Sequence, residues 1–291
     1  MTEELLSMVG LLNSASPLML AGLGALLSDL SGVLGIFVEG FMVTGAFFSW
    51  VLAGQTGSVF LGTFVSALFA GFVGWALARF VRQSGANPFI AGLALNLAAS
   101  GLTLSLSAAW FGTKGVLYDP SISIHGNVAG SIAMINPFTY TAWACALVIA
   151  IGLKRTVLGF RLRASGLSPD AAADRGVQTG YYREGAWALA AFLASIAGAA
   201  LTFRVGAYAP GGIAGRGWIA LATVYLGFRK AWGVVIAAIV FSLVERLGYG
   251  LQGFSVLPAT AVLGLPSALA LLFYFIIRLF NPKAQRHKTQ N

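Results

Sequence analysis

Lys154-Arg155-Thr156-Val157-Leu158-Gly159-Phe160-Arg161-Leu162-Arg163-Ala164-Ser165-Gly166-Leu167-Ser168-Pro169-Asp170-Ala171-Ala172-Ala173-Asp174-Arg175-Gly176-Val177 is the interior stretch where the chain turns polar. Polar character persists to Arg183, with both charge signs and many helix formers, and the sequence on either side is apolar. Hydrophobic residues make up 58% of the 291-residue chain and charged residues 9%, with a mean hydropathy of +0.83. A soluble domain carries about 25% charge. Several apolar windows are long enough to cross a hydrocarbon core of about 30 Å. They lack the strict polar–apolar alternation of a membrane β-barrel. The fold class is therefore an all-α polytopic membrane protein, a single transmembrane domain over 1–291. Its polar segment, 154–183, is presented to water.

The net charge of +9 comes from cations in loops and tails. That placement suits lipid headgroups and membrane topology rather than nucleic acid. Cys145 sits alone in an apolar span, so no intrachain disulfide or cysteine-cluster metal site is possible. His125 and His287 are isolated in polar segments, and no metal site is expected. Glu3 and Glu4 stand where a cleaved signal peptide would carry cations, so none is expected.

The first apolar stretch, 5–27, is interrupted by Asn13-Ser14-Ala15-Ser16-Pro17. Pro17 is placed to begin a helix, because its missing N–H would be unpaired there in any case. A short interfacial piece followed by a span is expected. Further spans are read over 33–52, 58–80, 88–111, 137–153, 182–203, 231–247 and 259–279, giving about eight to ten. The apolar piece 218–228 reaches only about half the bilayer at 1.5 Å per residue. It follows the glycine-rich Gly206–Gly217 run, 206–217, and reads as a broken or re-entrant half-helix. Irregular backbone at that depth is tolerated where it is buried in protein or lines a cavity. The cations Arg79/Arg82, the central stretch, Arg229/Lys230 and Lys283/Arg286/Lys288 fall on one side of this topology. The positive-inside rule makes that side cytoplasmic. The N-terminus and the 112–136 loop are then external and the C-terminus cytoplasmic.

Within 154–183, Pro169 starts a short helix, Asp170 suits its positive end, and Gly176 can end it. Ala171, Ala172 and Ala173 give it a smooth surface. So short a helix needs a partner surface. A soluble docking partner and the membrane surface are both open readings. Glu39 is an ionisable group inside a span, with no cation near it in sequence. Such a residue is a functional candidate by default, and its alternative role is a carboxylate capping a broken helix. Asn96 and Ser100 lie four apart on one helical face. They either line a polar path or bond to another helix. Phe89 is one of several aromatics able to stack a planar ligand. There is no Ser-His-Asp set, no pair of in-membrane carboxylates and no phosphate-binding loop, so any ATP is used by another chain.

Four stretches then carry a likeness. They are Val38-Glu39-Gly40-Phe41-Met42-Val43-Thr44-Gly45-Ala46-Phe47; Ala86-Asn87-Pro88-Phe89-Ile90-Ala91-Gly92-Leu93-Ala94-Leu95-Asn96-Leu97; Gly159-Phe160-Arg161-Leu162-Arg163-Ala164 running into Pro169-Asp170-Ala171-Ala172-Ala173; and Ala214-Gly215-Arg216-Gly217-Trp218-Ile219-Ala220-Leu221-Ala222. In this order the chain resembles, over about 17–280, the permease subunits of bacterial ABC importers for simple sugars, nucleosides and branched-chain amino acids. It looks most like the shorter permease of nucleoside-type importers. The resemblance implies a non-enzymatic permease in the bacterial inner membrane, forming half of a path for a small polar solute. It implies cytoplasmic ATPase subunits that use ATP and Mg, a second permease (a relative, or a second copy of this chain) and an external solute-binding protein. It also implies that 164–177, with Gly166, Pro169, Asp170, Ala171, Ala172, Ala173 and Gly176, is a coupling helix seated in the ATPase. Phe37, Glu39, Phe89, Asn96 and Ser100 are the path residues to examine. Two departures stand out. Where the family often has Asn-Ile-Gly just before Val/Leu-Glu-Gly, this chain has Gly35, Ile36 and Phe37, and a Phe there narrows any path. The preceding turn, Asp29-Leu30, lacks the family's cation. The competing reading is a proton-coupled secondary transporter that uses Glu39.

Overall fold

Two Asn-Pro pairs set helix starts. Asn87 and Asn136 each accept the backbone N–H two residues on, from Phe89 at 2.9 Å and Phe138 at 3.0 Å, with Pro88 and Pro137 in the first turn. An Asn cap supplies an acceptor for an orphan N–H, and Pro has none to lose at that position. In the computed structural model, which describes residues 2–119, 122, 136–213 and 215–252, these pairs open α4 (Pro88–Phe111) and α5 (Pro137–Arg155). The other helices are α1 (Thr2–Leu30), α2 (Val38–Thr56), α3 (Val59–Ser84), α6 (Val157–Leu167), α7 (Pro169–Asp174), α8 (Thr179–Val205), α9 (Arg216–Leu226) and α10 (Ala231–Gln252). Two-residue strands β1 (Leu117–Tyr118) and β2 (Ala207–Tyr208) pair antiparallel, Leu117 opposite Tyr208. Six helices among the described residues are long and apolar enough to cross a membrane. The expected span 259–279 and the C-terminal cations lie outside the described residues.

α8 is the most buried of these six spans and α4 the least. Small residues let α8 sit in the middle. Gly24 of α1 lies against Ala190, Gly74 of α3 against Trp187 and Ala191, and Gly45 of α2 against Ser195. Side chains at these glycines would collide with α8 backbone or side chains, so the close crossings depend on their absence. The outer face of α3 carries Phe60, Phe64, Phe69 and Phe72 in the open, the pattern of a lipid-facing surface.

α1 differs from its expected form. It is one continuous helix with Pro17 inside it. Pro17 cannot donate to the carbonyl of Asn13, four residues back. Ser16 Oγ donates to Asn13 O at 3.0 Å instead, and Ser14 Oγ donates to Gly10 O at 2.8 Å. The freed carbonyl is satisfied locally, so the proline need not begin the helix. α2 also starts later than expected, at Val38, after a turn-rich entry from Ser31 to Phe37. The half-helix is borne out: α9 has 11 residues, about 16 Å at 1.5 Å each.

One end of the bundle collects most of the cations among the described residues. The C-terminal ends of α1, α3 and α9 meet the start of α8 and the α5–α6–α7 segment there. Arg82 Nη2 lies 2.6 Å from Glu184 Oε1, and Arg229 Nε 2.6 Å from Asp29 Oδ2. Asp29 therefore has a cation after all, supplied 200 residues away and joined by Tyr225, whose hydroxyl donates to Asp29 Oδ1 at 3.2 Å. Phe228 and Arg229 turn the α9–α10 corner with φ of 52° and 55°. That left-handed region costs a non-glycine residue about 1–2 kcal/mol.

Candidate functional site

Two places carry the polar chemistry. The first is the α6–α7 segment at the basic end. Thr156 caps α6 by accepting the Gly159 N–H at 3.2 Å. Pro169 occupies the first turn of α7, with Asp170 beside it. The helix closes by two reversed bonds, Gly176 N–H to Ala173 O at 2.8 Å and Val177 N–H to Ala172 O at 3.0 Å. Gly176 has φ +77°, the left-handed conformation this stop requires and glycine adopts freely. Asp170, Ala171, Ala173 and Gly176 are exposed, Pro169 and Gly166 are half-buried, and Ala172 is buried. The sequence-predicted set thus divides into an outward face and an inward one. A side chain at Gly166 would overlap the backbone of Leu30 and Gly32. Arg183 adds a clamp at the same place, with Nε donating to Ser31 O at 3.2 Å and Nη2 to Ser165 O at 3.4 Å. The exposed segment is therefore keyed into the α1–α2 turn, which leads directly to the start of α2.

The second place is that start. Phe37, the N-cap of α2, offers no side-chain acceptor. Asn96 of α4 supplies one: Gly40 N–H donates to Asn96 Oδ1 at 2.7 Å, and Asn96 Nδ2 donates to Ile36 O at 2.8 Å. A neighbouring helix thus caps a buried helix end. Glu39, in the first turn, accepts the N–H of Gly215 on Oε1 at 2.8 Å, and its buried Oε2 has no hydrogen-bond partner. Gly215 is the N-cap of α9, and Gly217 packs directly on the backbone of Glu39. Two interrupted helices, α2 and α9, bring their N-terminal ends to one carboxylate, which suits the positive pole of both. Next to them Arg216 Nη2 lies 2.6 Å from Glu245 Oε1. This pair lines a narrow cavity with Ser14 and Ser242.

The predicted path residues do not all come together here. Glu39 and Asn96 meet at the α2 start. Phe37 is fully buried, 4.5 Å from the Trp187 ring and 5.8 Å from Phe41, so it is core in this conformation. Phe89 is 53% exposed on the first turn of α4. Ser100 is exposed and donates to Asn96 O of its own helix at 3.1 Å. The Asn96/Ser100 stripe is split by the helix packing. Sequence reasoning missed the Arg216–Glu245 and Arg82–Glu184 pairs and the Arg183 clamp. Only the presence of lone carboxylates in apolar helices hinted at them.

Comparison with known proteins agrees with this architecture. Residues 7–280 match the model of the branched-chain amino acid transport system / permease component family. A putative glucose ABC transporter permease protein of Haloferax volcanii, TsgC13, is 31% identical over 261 residues, covering 84% of this chain and 79% of the relative. The nucleoside ABC transporter permease protein NupC of Lactococcus lactis is 27% identical, covering 93% of this chain and 92% of its own. The guanosine ABC transporter permease protein NupQ of Bacillus subtilis shows the same identity and coverage. Among solved structures, PsaBC from Streptococcus pneumoniae in complex with Fab aligns with a TM-score of 0.54 at 13% identity. It covers 91% of this chain and 90% of that one, and shows likeness of fold alone. The chain is a multi-pass ABC transporter permease and belongs to the branched-chain amino acid transport system permease family.

Proposed function

We propose that this chain forms half of the translocation path of an ATP-driven importer for a nucleoside or a simple sugar. The observation that carries the reading is the α6–α7 segment: α7, a six-residue helix stopped sharply at Gly176, is exposed on Asp170, Ala171 and Ala173, and Gly166 at the end of α6 keys the segment into the α1–α2 turn. An exposed helix of that length gains its stability from a partner. Its partner is a cytoplasmic ATPase that uses ATP and Mg. Closure of the ATPase presses α7, the Gly166 contact moves the α1–α2 turn, and the start of α2 shifts with Asn96, Glu39 and α9. In this scheme Glu39 and Asn96 brace the path rather than hold the solute. The basic end is cytoplasmic, the N-terminus external, and the membrane is the bacterial inner membrane. A second permease subunit covers part of the exposed apolar side, and an external binding protein delivers the solute. The solute class rests on the names of the sugar and nucleoside relatives. The proton-coupled alternative finds no support among these relatives, and Glu39 is engaged with a backbone N–H.

Uptake of labelled guanosine and glucose by the native cells, with and without the gene for this chain, tests this. Uptake that stops on ATP depletion and survives a protonophore supports the importer. Uptake that collapses with the proton gradient while ATP is held constant refutes it.

A further inference from the structure

A cavity of about 460 Å³ lies at the basic end, between the α3–α4 corner and the start of α8. Its walls include Arg82, Arg183, Glu184, Trp187 and the small residues Gly85 and Ala86 of the corner. Its size falls in the range of small-ligand sites. Two of its side chains are almost fully buried and incompletely bonded. Glu184 is 2% exposed; Arg82 Nη2 lies 2.6 Å from Oε1 as an ion pair, and neither carboxylate oxygen has a hydrogen-bond partner of good geometry. Trp187 is 2% exposed, and its Nε1–H likewise has none. Buried polar groups left so are costly unless a ligand or water serves them.

The position of the cavity narrows the ligand. Arg79 lies 5.5 Å over the Trp75 ring, and Arg82 5.5 Å over the Tyr181 ring. Arg paired with Trp and Tyr at the end of an apolar helix marks the headgroup level of a bilayer. Arg82 is 43% exposed, so the cavity is reached from that level. Its chemistry is of both signs. Arg82 and Arg183 offer the guanidinium N–H groups that are left beyond the Glu184 pair and the Ser31 and Ser165 carbonyls, and Trp187 adds one more. Glu184 offers the acceptor. A phosphate fits the donors, and a primary ammonium a few bonds away fits Glu184.

We propose that this cavity binds the headgroup of an amine-bearing phospholipid from the adjoining leaflet, phosphate toward Arg82 and Arg183 and ammonium toward Glu184. The occupant joins the α3–α4 corner to the start of α8. A neighbouring cleft that shares Arg82, Thr179 and Gly180 extends to Ala173 and Gly176 of the α7 stop. Lipid composition then bears on how firmly α7 is held.

The test is native mass spectrometry of the delipidated full-length chain in mild detergent. It is titrated with phosphatidylethanolamine, with phosphatidylcholine of the same acyl chains, and with soluble phosphoethanolamine. The expected result is binding of phosphatidylethanolamine about tenfold tighter than of phosphatidylcholine, whose ammonium has no N–H to give; one charge-assisted hydrogen bond is worth about that factor. Glu184→Gln and Trp187→Phe each weaken it several-fold, and Trp187→Phe keeps a ring against Phe37 so that a folded variant remains. Equal binding of the two lipids overturns the proposal. So does a preference that survives both substitutions, which places the lipid elsewhere. Soluble phosphoethanolamine binding as tightly as the lipid overturns the lipid assignment.

Discussion

Replacing Asn96 with Leu removes both hydrogen bonds that hold the start of α2 to α4 while keeping the number of side-chain heavy atoms and the branch at Cγ. The Gly40 N–H loses its acceptor at 2.7 Å and the Ile36 carbonyl its donor at 2.8 Å. Phe37 cannot replace either, since it makes no side-chain cap. Asn96 is 9% exposed, so water is poorly placed to substitute. Interhelical hydrogen bonds in membrane proteins measure roughly 0.6 to 1.7 kcal/mol each, so two of them predict a loss of about 1–3 kcal/mol. Unfolding of the purified chain in mixed micelles with increasing SDS measures it. Ser100→Ala is the control: that hydroxyl is exposed and bonds only within α4, and its removal should change stability by less than about 0.5 kcal/mol. An Asn96→Leu variant indistinguishable from wild type, or no worse than Ser100→Ala, would refute the reasoning that Asn96 caps α2.

Glu39→Gln keeps an oxygen for the Gly215 N–H and should retain most ATP-dependent uptake, whereas Glu39→Leu should lose it; an inactive Gln variant would restore a proton-carrying role. Phe228→Gly should raise stability by up to about 1 kcal/mol in the same SDS titration, because glycine adopts φ > 0 without the strain and this side chain is 64% exposed. Ser16→Ala should cost about 1 kcal/mol, the worth of one hydrogen bond, by leaving the Asn13 carbonyl opposite Pro17 without its hydroxyl donor. Gly166→Leu should disrupt folding itself rather than docking, seen as aggregation on size exclusion, because its added atoms meet the Leu30 and Gly32 backbone.

Local chemistry made much of the fold legible. The starts of α4 and α5 could be read to the residue because Asn-Pro writes cap and first turn side by side. α7 was legible because Pro169 and Gly176 bracket it, and α9 because its apolar run is too short to span. What escaped depends on partners far along the chain or on backbone groups that have no letter of their own. Pro17 reads as a helix start unless one knows that Ser16 turns back to Asn13. The cation of Asp29 is Arg229, and no local pattern joins them. The partner of Glu39 is a backbone N–H, so the carboxylate looked unaccompanied. Helical spacing put Asn96 and Ser100 on one stripe, yet α2 covers only the Asn96 end. Burial also divides the proposed coupling segment: Gly166 is half-buried against the Leu30 and Gly32 backbone and Ala172 is buried, which leaves Asp170, Ala171 and Ala173 on the exposed face.

That surface allows the central claim to be tested directly. Tagged full-length chain is purified in mild detergent beside an Ala173→Arg variant, and the co-purifying proteins are quantified by mass spectrometry. The account predicts an ATPase subunit recovered with the wild type and depleted at least tenfold with the variant, while a second permease is recovered equally with both. An ATPase retained undiminished by Ala173→Arg, or absent from the wild-type assembly, would contradict it.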